Sequence, residues 1–316
     1  MTDERKMRIV AAGDCVCDKY LSRGKMYPGG QAVNTCAYAS MNGAETAFIG
    51  KLGTDGAARC LEDAMDELGI DRSRCRRFEG ETGFALVTLK DGDRVFLGSN
   101  KGGVAKEHGF GFTEEDIEFI RGFDLLYSDL NSYIEDDLPL LASAGVPLAY
   151  DFSTRGDAEY LERVMPYVDI ALMSCAHLAD GEREELMRKA AGLGARIVLG
   201  TVGERGSHLL CGDRLYYTEA VKAGEIFDTM GAGDSYFAAF LCSLLRSAPG
   251  AEACEGTSFR PETRASAVDR LLAGSPEELA ARIEAAMKAG AEFAAKVCSL
   301  EGAFGFGTPI TGRTEI

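Results

Sequence analysis

The sequence predicts an α/β protein built around one mostly parallel, doubly wound sheet. Short apolar runs with strand character alternate with amphipathic helical segments along most of the chain. A length of 316 residues and a hydrophobic content of 46% allow a large core. Strands separated by helices are joined by right-handed crossovers and lie parallel in one sheet. We therefore expect a single domain over residues 1–316.

The predicted elements follow in order. The strands are short apolar runs bounded by turn residues, at 7–13, 46–51, 124–128, 146–151, 170–174 and 196–201. The helices show apolar spacing of three to four residues, at 32–39, 57–68, 114–121, 135–144, 158–164, 181–192, 235–245, 265–272 and 276–297. Residues 14–18 are read as an acidic loop after the first strand, and 20–27 as a short polar segment.

Two hairpins interrupt this alternation. Residues 82–90 and 94–99 flank Asp91-Gly92-Asp93, and residues 207–211 and 214–218 flank Gly212-Asp213, both strong turn signals. The first hairpin leaves the main sheet, which predicts a flap over a pocket. Residues 248–275 are rich in Pro, Gly, Ser and charges and predict an exposed insertion.

Composition excludes several classes of function. A net charge of −16 argues against a nucleic-acid or anionic-membrane partner, since either needs a basic surface. No apolar run has the length of a membrane span, and the charged N-terminus does not resemble a signal peptide. The ten cysteines form no CxxC pair, which indicates reduced thiols and a cytoplasmic location. The three histidines lack metal-ligand spacing.

The stretch DTMGAGDSYFAAFLCSLL, residues 228–245, carries the strongest chemical signal. Gly231, Ala232 and Gly233 are small residues directly before a predicted helix, where free amides and the helix dipole favour a phosphate. A carboxylate in the same turn, Asp234, would be repelled by that phosphate, which suggests that it works on a nearby hydroxyl proton. The alternative is a simple helix cap.

A second glycine turn lies near the N-terminus. Gly29 and Gly30 precede the predicted helix that contains Asn34, and the acidic residues Asp14 and Asp18 follow the first strand. Ligands bind at the carboxyl ends of parallel strands, so this segment is a candidate site. A P-loop motif, a dinucleotide fingerprint and a nucleophile elbow are all absent from the sequence.

These two segments together resemble the signatures of the PfkB, or ribokinase-like, carbohydrate kinases. The matching patterns are Gly29-Gly30-x-x-x-Asn34 and Asp228-Thr229-x-Gly231-Ala232-Gly233-Asp234, in the family's order and spacing. The resemblance covers nearly the whole chain. It implies a three-layer αβα sandwich with a mostly parallel central sheet and a small β-sheet lid, formed by strands inserted at about 14–27 and 82–100.

The resemblance also implies the roles of individual residues. Asp234 would be the base that takes the proton of a primary sugar hydroxyl, and the amides of Gly231, Ala232 and Gly233 would hold the negative charge of the transferring phosphate. The remaining positions carried over are the sugar contacts Asp14, Asp18, Gly29, Gly30, Asn34 and Arg94, the ATP contacts Thr201, Gly203, Gly206 and Thr229, and Asp228 beside a monovalent-cation loop at 302–307 that would hold K⁺.

One family motif is missing. Many members carry Asn-x-x-Glu, which is tied to Mg²⁺ and phosphate handling, where this chain has Ser174-Cys175-Ala176-His177. ATP still requires Mg²⁺, because the metal neutralises the phosphates, so the protein ligands of Mg²⁺ stay open.

Softer matches favour a particular acceptor. Gly13-Asp14, Asp93-Arg94-Val95-Phe96, Asp151-Phe152-Ser153 and the tail Gly302-Ala303-Phe304-Gly305 resemble the fructoselysine 6-kinases within the family. The polar residues Arg94, Asn100 and Lys101 at the lid would face the substrate's charged tail or simply be solvated. Fructokinase activity and a non-catalytic binding protein are the alternatives. Family members often form a homodimer through the lid.

Overall fold

The computed structural model describes residues 6–90, 93–224, 226–249 and 263–316, and it leaves the side chains of 89, 90, 93 and 94 outside the description. The strands are β1 (Arg8–Gly13), β2 (Val16–Tyr20), β3 (Lys25–Gly29), β4 (Glu45–Leu52), β5 (Arg76–Arg77), β6 (Gly83–Lys90), β7 (Asp93–Ser99), β8 (Leu125–Asp129), β9 (Leu148–Asp151), β10 (Ile170–Ser174), β11 (Ile197–Thr201), β12 (Ser207–Cys211), β13 (Arg214–Thr218) and β14 (Thr308–Pro309).

The helices alternate with these strands. They are α1 (Gln31–Met41), α2 (Gly56–Glu67), α3 (Val104–Glu107), α4 (Glu114–Ile120), α5 (Leu138–Ala142), α6 (Ala158–Val164), α7 (Asp180–Gly192), α8 (Ala232–Arg246), α9 (Arg264–Leu271) and α10 (Pro276–Val297). Capping residues set several of their starts. Ser275 and Glu278 form a reciprocal capping box at α10, which also has proline at its first position.

The central sheet contains nine of the described strands in the order β13-β12-β11-β10-β9-β8-β1-β4-β5. Strands β5 to β11 of this order pair in parallel, and β11, β12 and β13 form the antiparallel edge. The chain runs outward from β1 in both directions. Because β1, β8 and β9 are parallel, their carboxyl ends lie at the same edge of the sheet. A switch of direction beside β1 is where open α/β sheets bind ligands.

The sheet separates two hydrophobic cores. In β1, Ile9 and Ala11 pack against α1, α2, α8 and α10, whereas Val10 and Ala12 pack against α4 to α7. Alternate residues of a strand point to opposite faces, so a strand that is apolar throughout is covered on both sides. This confirms the predicted three-layer αβα architecture.

The lid is a second, smaller sheet with the order β14-β3-β2-β6-β7. Strand β2 pairs antiparallel with β3 and parallel with β6, and β6 forms the predicted hairpin with β7. The C-terminal segment adds β14 to the opposite edge by pairing with β3. The small β-sheet predicted from the resemblance is therefore present, and the C-terminus extends it.

The structure corrects three local expectations. The reading of 14–18 as an acidic loop is wrong, because residues 16–20 form β2, which pairs with β3 and β6 as the family resemblance predicted for the lid strands at about 14–27. The segment 20–27 is a tight turn followed by a strand that runs on to Gly29. The helix expected at 135–144 is limited to Leu138–Ala142. Residues 250–262 of the predicted insertion lie outside the described residues, and the rest of it contains α9.

No helix among the described residues is long and apolar enough to cross a membrane. The nine described cysteines are free thiols, and Cys254 lies outside the described ranges.

Candidate active site

The start of α8 packs closely against Tyr38 of α1 and Ala303 of the C-terminal segment. Gly231, the residue before the helix, has left-handed backbone angles with φ of 72°. A Cβ atom on it would lie 2.2 Å from the Tyr38 hydroxyl and 3.2 Å from Cβ of Ala303. The Tyr38 hydroxyl donates a hydrogen bond of 2.5 Å to the Ala303 carbonyl. Glycine is thus required at 231 by both backbone angle and space.

The first turn of α8 presents backbone amides beside an open cavity. Helix-initial amides have no partner within the helix and are available to an anion. Of the three residues predicted to supply them, Ala232 donates a long bond of 3.3 Å to the Thr229 carbonyl, and Gly233 is exposed with nothing within 4 Å of an added Cβ. The turn therefore has room for a phosphate group at Gly233.

Asp234 lies one residue further into α8 and is only 8% exposed. Its Oδ2 accepts a 2.7 Å hydrogen bond from Nδ2 of Asn34, which is 200 residues earlier in the sequence and lies on α1. Burial raises the pKa of Asp234 to about 6, while the bond from Asn34 opposes that rise. A carboxylate with this pKa is ionised at neutral pH and is a better proton acceptor than an exposed aspartate. The structure thus joins the two predicted signatures in one hydrogen bond.

The glycine pair before α1 permits a tight crossing of chains. A Cβ on Gly29 would lie 2.6 Å from Oδ2 of Asp18, and one on Gly30 would lie 2.7 Å from the carbonyl oxygen of Asp14. Gly30 also has a φ of 97°. The two glycines therefore bring the α1 terminus against both acidic residues. Asp18 is 5% exposed on β2, so the lid and not a loop carries it.

Sequence reasoning missed two further carboxylates at this edge of the sheet. Asp129 ends β8 and Asp151 ends β9, next to Asp14 after β1, and with Asp234 we call these four residues the acidic row. The rule that pointed to Asp14, a polar residue at the carboxyl end of a parallel strand, applies equally to both. The sequence marks Asp151 only through the resemblance of Asp151-Phe152-Ser153 to the fructoselysine 6-kinases, with no role at the site.

The members of the acidic row act on one another. Burial raises the pKa of Asp14 to about 7, and the negative charge of Asp234 adds to the rise. Burial and Asp234 likewise raise the pKa of Asp151 to about 7. Burial and the charge of Asp14 raise the pKa of Asp129 well above its usual value. Raised pKa values of this kind cluster at functional sites, because they arise where carboxyl groups are buried away from water and close to other negative charges.

A cavity of about 310 Å³ adjoins the start of α8. All four residues predicted to contact ATP line it, namely Thr201, Gly203, Gly206 and Thr229, together with Ala232 and Gly233. Sequence reasoning missed its apolar walls, Val221 and Ile226 on one side and Ala291, Ala294 and Ala295 of α10 on the other. An apolar cleft that ends at helix-initial amides fits a planar base with an attached polyphosphate.

Asp228, predicted to lie beside a monovalent cation, is engaged by the lid. Its Oδ2 accepts a 2.6 Å bond from the Tyr20 hydroxyl, and Arg23 lies 4.0 Å from the same oxygen. Its Oδ1 accepts a bond from the Met230 amide. Both oxygens thus have protein donors. A cation at this place stays a prediction.

The structure shows different things for the three polar residues predicted at the lid, Arg94, Asn100 and Lys101. The side chain of Arg94 lies outside the described residues, so its contact with sugar stays a prediction. Asn100 has a structural role, because its amide donates to the Thr82 carbonyl and accepts from the Phe84 amide. Lys101 has a φ of 56°, and its carbonyl accepts a 3.3 Å bond from the Tyr133 hydroxyl.

The divergent segment after β10 contributes no cluster of metal ligands. Cys175 is buried there, and His177 is exposed beside α7. Within the described part of the chain, no group of three or more His, Cys, Asp or Glu side chains is arranged to hold a metal ion. The described side chains therefore offer no cage of their own for Mg²⁺, and its protein ligands stay open.

The family model described as "pfkB family carbohydrate kinase" matches residues 8–256. The chain belongs to this family. It is accordingly an ATP-dependent sugar kinase, a phosphotransferase with an alcohol group as acceptor. The matched range includes both glycine-rich segments and Asp234, so the family that the sequence resemblance predicted is confirmed.

Two curated relatives of this chain are named as kinases of fructosamine or fructoselysine. Fructosamine kinase FrlD of Bacillus subtilis (strain 168) is 38% identical over 304 residues, which cover 96% of this chain and 95% of the relative. Fructoselysine 6-kinase of Escherichia coli (strain K12) is 32% identical, with coverage of 74% and 88%.

Solved structures of pfkB-type kinases share the fold. Ribokinase from Giardia lamblia aligns with a TM-score of 0.74 at 17% identity, over 95% of each chain. Fructokinase with bound ATP from Xylella fastidiosa aligns with a TM-score of 0.71 at 18% identity, over 95% of this chain and 94% of its own. The ribokinase-like fold is confirmed.

Proposed function

We propose that this kinase phosphorylates the primary 6-hydroxyl of fructoselysine or a closely related fructosamine. The observation that carries the reaction is the bond between Asn34 and Asp234, because it fixes a base with a pKa of about 6 beside the start of α8. The acceptor is supported by the similarity to fructosamine and fructoselysine kinases.

The transfer is a single displacement. Asp234 takes the proton of the 6-hydroxyl as that oxygen forms a bond to the γ-phosphorus of ATP, and the bond from the γ-phosphorus to the oxygen shared with the β-phosphate breaks to release ADP. The amides of Gly231, Ala232 and Gly233 stabilise the charge on the transferring phosphoryl group. Mg²⁺, when bound with ATP, neutralises the phosphate oxygens.

The two substrates occupy opposite sides of the α8 start. Adenine and ribose take the 310 Å³ cavity between Thr201, Gly206 and α10. The sugar lies between Asp234 and the lid, where Asp18, Asn34 and the turn at Gly29 and Gly30 supply acceptors and close backbone approach for its hydroxyls. The lid keeps water away from the transfer.

Two predictions from the family resemblance accompany this proposal. K⁺ binds near Asp228 and the loop at 302–307, and activity is then higher in K⁺ than in Na⁺ at equal ionic strength. The protein also forms a homodimer through the lid, which is supported by the exposed apolar side chains Val95, Phe96 and Leu97 on the edge strand β7.

A substrate panel tests the acceptor. We expect ADP release to show the highest kcat/KM for fructoselysine, compared with glucoselysine, fructose, ribose and nucleosides. If fructoselysine ranks among the poorest acceptors while another sugar is phosphorylated well, the proposed acceptor is wrong and only the sugar kinase activity stands.

A further inference from the structure

We propose that Asp14, with Asp129 behind it and Tyr133 beside it, forms a subsite for the protonated amine of an amine-linked ketose. The inference rests on the proposed function and deepens it, because it assigns the residues that distinguish a fructosamine from fructose. In such a substrate the amine replaces the hydroxyl on carbon 1, at the end of the sugar remote from the 6-hydroxyl.

Asp14 is placed to contact a ligand. It is half-buried, whereas Asp129 is fully buried. Protein donors fix its position, since the Gln31 amide donates to its Oδ2 at 3.3 Å and its own amide donates to the Ser132 hydroxyl at 3.0 Å. Its carboxylate is therefore oriented by a backbone amide while the residue stays partly exposed.

The charges near Asp14 favour a cation. The charges that raise the pKa of Asp14, Asp129 and Asp151 come from other members of the acidic row. A neutral hydroxyl would leave this repulsion in place, and a carboxylate or phosphate would increase it. The secondary ammonium of an amine-linked ketose offsets it, and its two N–H groups also donate hydrogen bonds.

Unpartnered acceptors provide an independent sign of a missing donor. Oδ2 of Asp129 and Oδ1 of Asn34 are both buried and have no hydrogen-bond partner within the described part of the chain. Asp129 is 0% exposed and Asn34 is 3% exposed. Buried polar atoms in native proteins normally have partners, so these two acceptors, one on β8 and one on α1, fit a site that a hydrogen-bond-donating ligand completes.

Tyr133 supplies an aromatic wall. It is 40% exposed and directly follows Ser132, whose hydroxyl accepts the hydrogen bond from the Asp14 amide, so Tyr133 and Asp14 lie on neighbouring stretches of the chain. The ammonium of Lys106 lies 5.4 Å from the centre of its ring, so this ring already accepts a cation. A second cation between Tyr133 and Asp14 would gain both ion pairing and a cation–π contact.

The test compares two acceptors that differ only at carbon 1, fructose and 1-amino-1-deoxyfructose. We expect the wild-type enzyme to prefer the amine, and Asp14→Asn to reduce the ratio of the two kcat/KM values by about tenfold or more. Asp129→Asn should lower the ratio in the same direction. Asp213→Asn, an equal charge change in an exposed hairpin, should leave the ratio at its wild-type value.

The outcomes separate the two proposals. If Asp14→Asn loses both substrates in equal proportion, the amine subsite is wrong although the kinase reaction stands. If the wild-type enzyme phosphorylates neither acceptor nor fructoselysine, the proposed function itself fails.

A measurement on the wild-type protein covers the case in which a variant does not fold. Binding of 1-amino-1-deoxyfructose should release more protons at pH 7 than binding of fructose, because an ammonium lowers the raised pKa of Asp14. Calorimetry in two buffers of different ionisation enthalpy counts these protons, and equal counts for the two sugars would overturn the inference.

Discussion

At the scale of single residues, Asp234 combines two opposing influences. Burial makes it more basic, and the hydrogen bond from Asn34 holds one oxygen and partly stabilises the charge. The result is a carboxylate that is oriented, ionised at neutral pH and still able to take a proton. This balance is typical of a general base and is unusual for a helix cap, where the side chain bonds to backbone amides.

Replacement of this carboxylate should stop turnover. We expect Asp234→Asn to lower kcat by about 10³-fold, because the amide cannot accept the hydroxyl proton. Release of ADP in the presence of sugar measures the loss. Asp213→Asn serves as the control, since it changes charge equally on an exposed turn. Activity of the Asp234 variant within about tenfold of wild type would rule out the role as base.

The same residue predicts the acid limb of the pH profile. Because the pKa of Asp234 is about 6, kcat/KM for fructose should fall as the pH drops below 6, where the base becomes protonated. Initial rates at saturating ATP between about pH 5 and about pH 8 measure this limb. A rate that stays constant down to pH 5 would contradict a pKa raised by burial.

At the scale of elements, the start of α8 depends on its glycines in different ways. Gly231 has no room for a side chain and has left-handed backbone angles, whereas Gly233 faces open space within the helix. The structure therefore separates Gly231, where the backbone angle and the space both require glycine, from Gly233, where a side chain would meet no neighbour.

Paired alanine variants test this difference. Gly231→Ala should lower the free energy of unfolding by about 2 kcal/mol, from the backbone angle and the clash with Tyr38. Gly233→Ala should leave it unchanged or raise it by up to about 1 kcal/mol, since alanine favours a helix. Urea unfolding measures both. If both variants lose the same free energy of unfolding, the tight fit around Gly231 is not the cause of the loss. If Gly231→Ala combined with Tyr38→Phe recovers part of the stability, the clash with the Tyr38 hydroxyl is a cause.

At the scale of the whole molecule, the lid is tied to the body by contacts far apart in sequence. Tyr20 of β2 bonds to Asp228, and Tyr27 of β3 donates a 2.8 Å bond to Glu301 in the C-terminal segment. Lys19 donates to the carbonyls of Thr311 and Arg313 from the same sheet. The lid therefore rests on both the α8 loop and the C-terminus.

The acidic row sets a pH dependence of stability for the whole fold. The folded-state pKa values of Asp14 and Asp151 are about 7, against an ordinary value of 3.8, so folding favours their protonated forms. Their contribution to stability is complete below pH 3.8 and is lost as the pH rises through about 7. We expect this loss to lower the Tm of the ligand-free protein as the pH increases from about 5 to about 8.

A comparison with the variant Asp14→Asn/Asp151→Asn isolates this effect. Its Tm should depend less on pH over the same range. His208, whose pKa is lowered by burial, acts in the opposite direction but is the same in both proteins. Parallel Tm curves for the two proteins would show that these carboxylates do not titrate within the range.

The sequence by itself determined the alternation of strands and helices, the hairpin of the lid, the small residues and carboxylate at the start of α8, and four of the residues that line the 310 Å³ cavity. These features are local. Apolar periodicity reports burial on each face of an element, and glycine next to a helix start reports close backbone approach, so neither requires knowledge of a distant partner.

Only the tertiary structure decided what lies beside what. Asn34 reaches Asp234 across 200 residues, β2 becomes a strand through its pairing with β6, and Asp228 is bonded by Tyr20 of the lid. Asp129 and Asp151 join Asp14 because three parallel strands end at one edge of the sheet. Such contacts depend on strand order and chain crossing, which local periodicity does not encode.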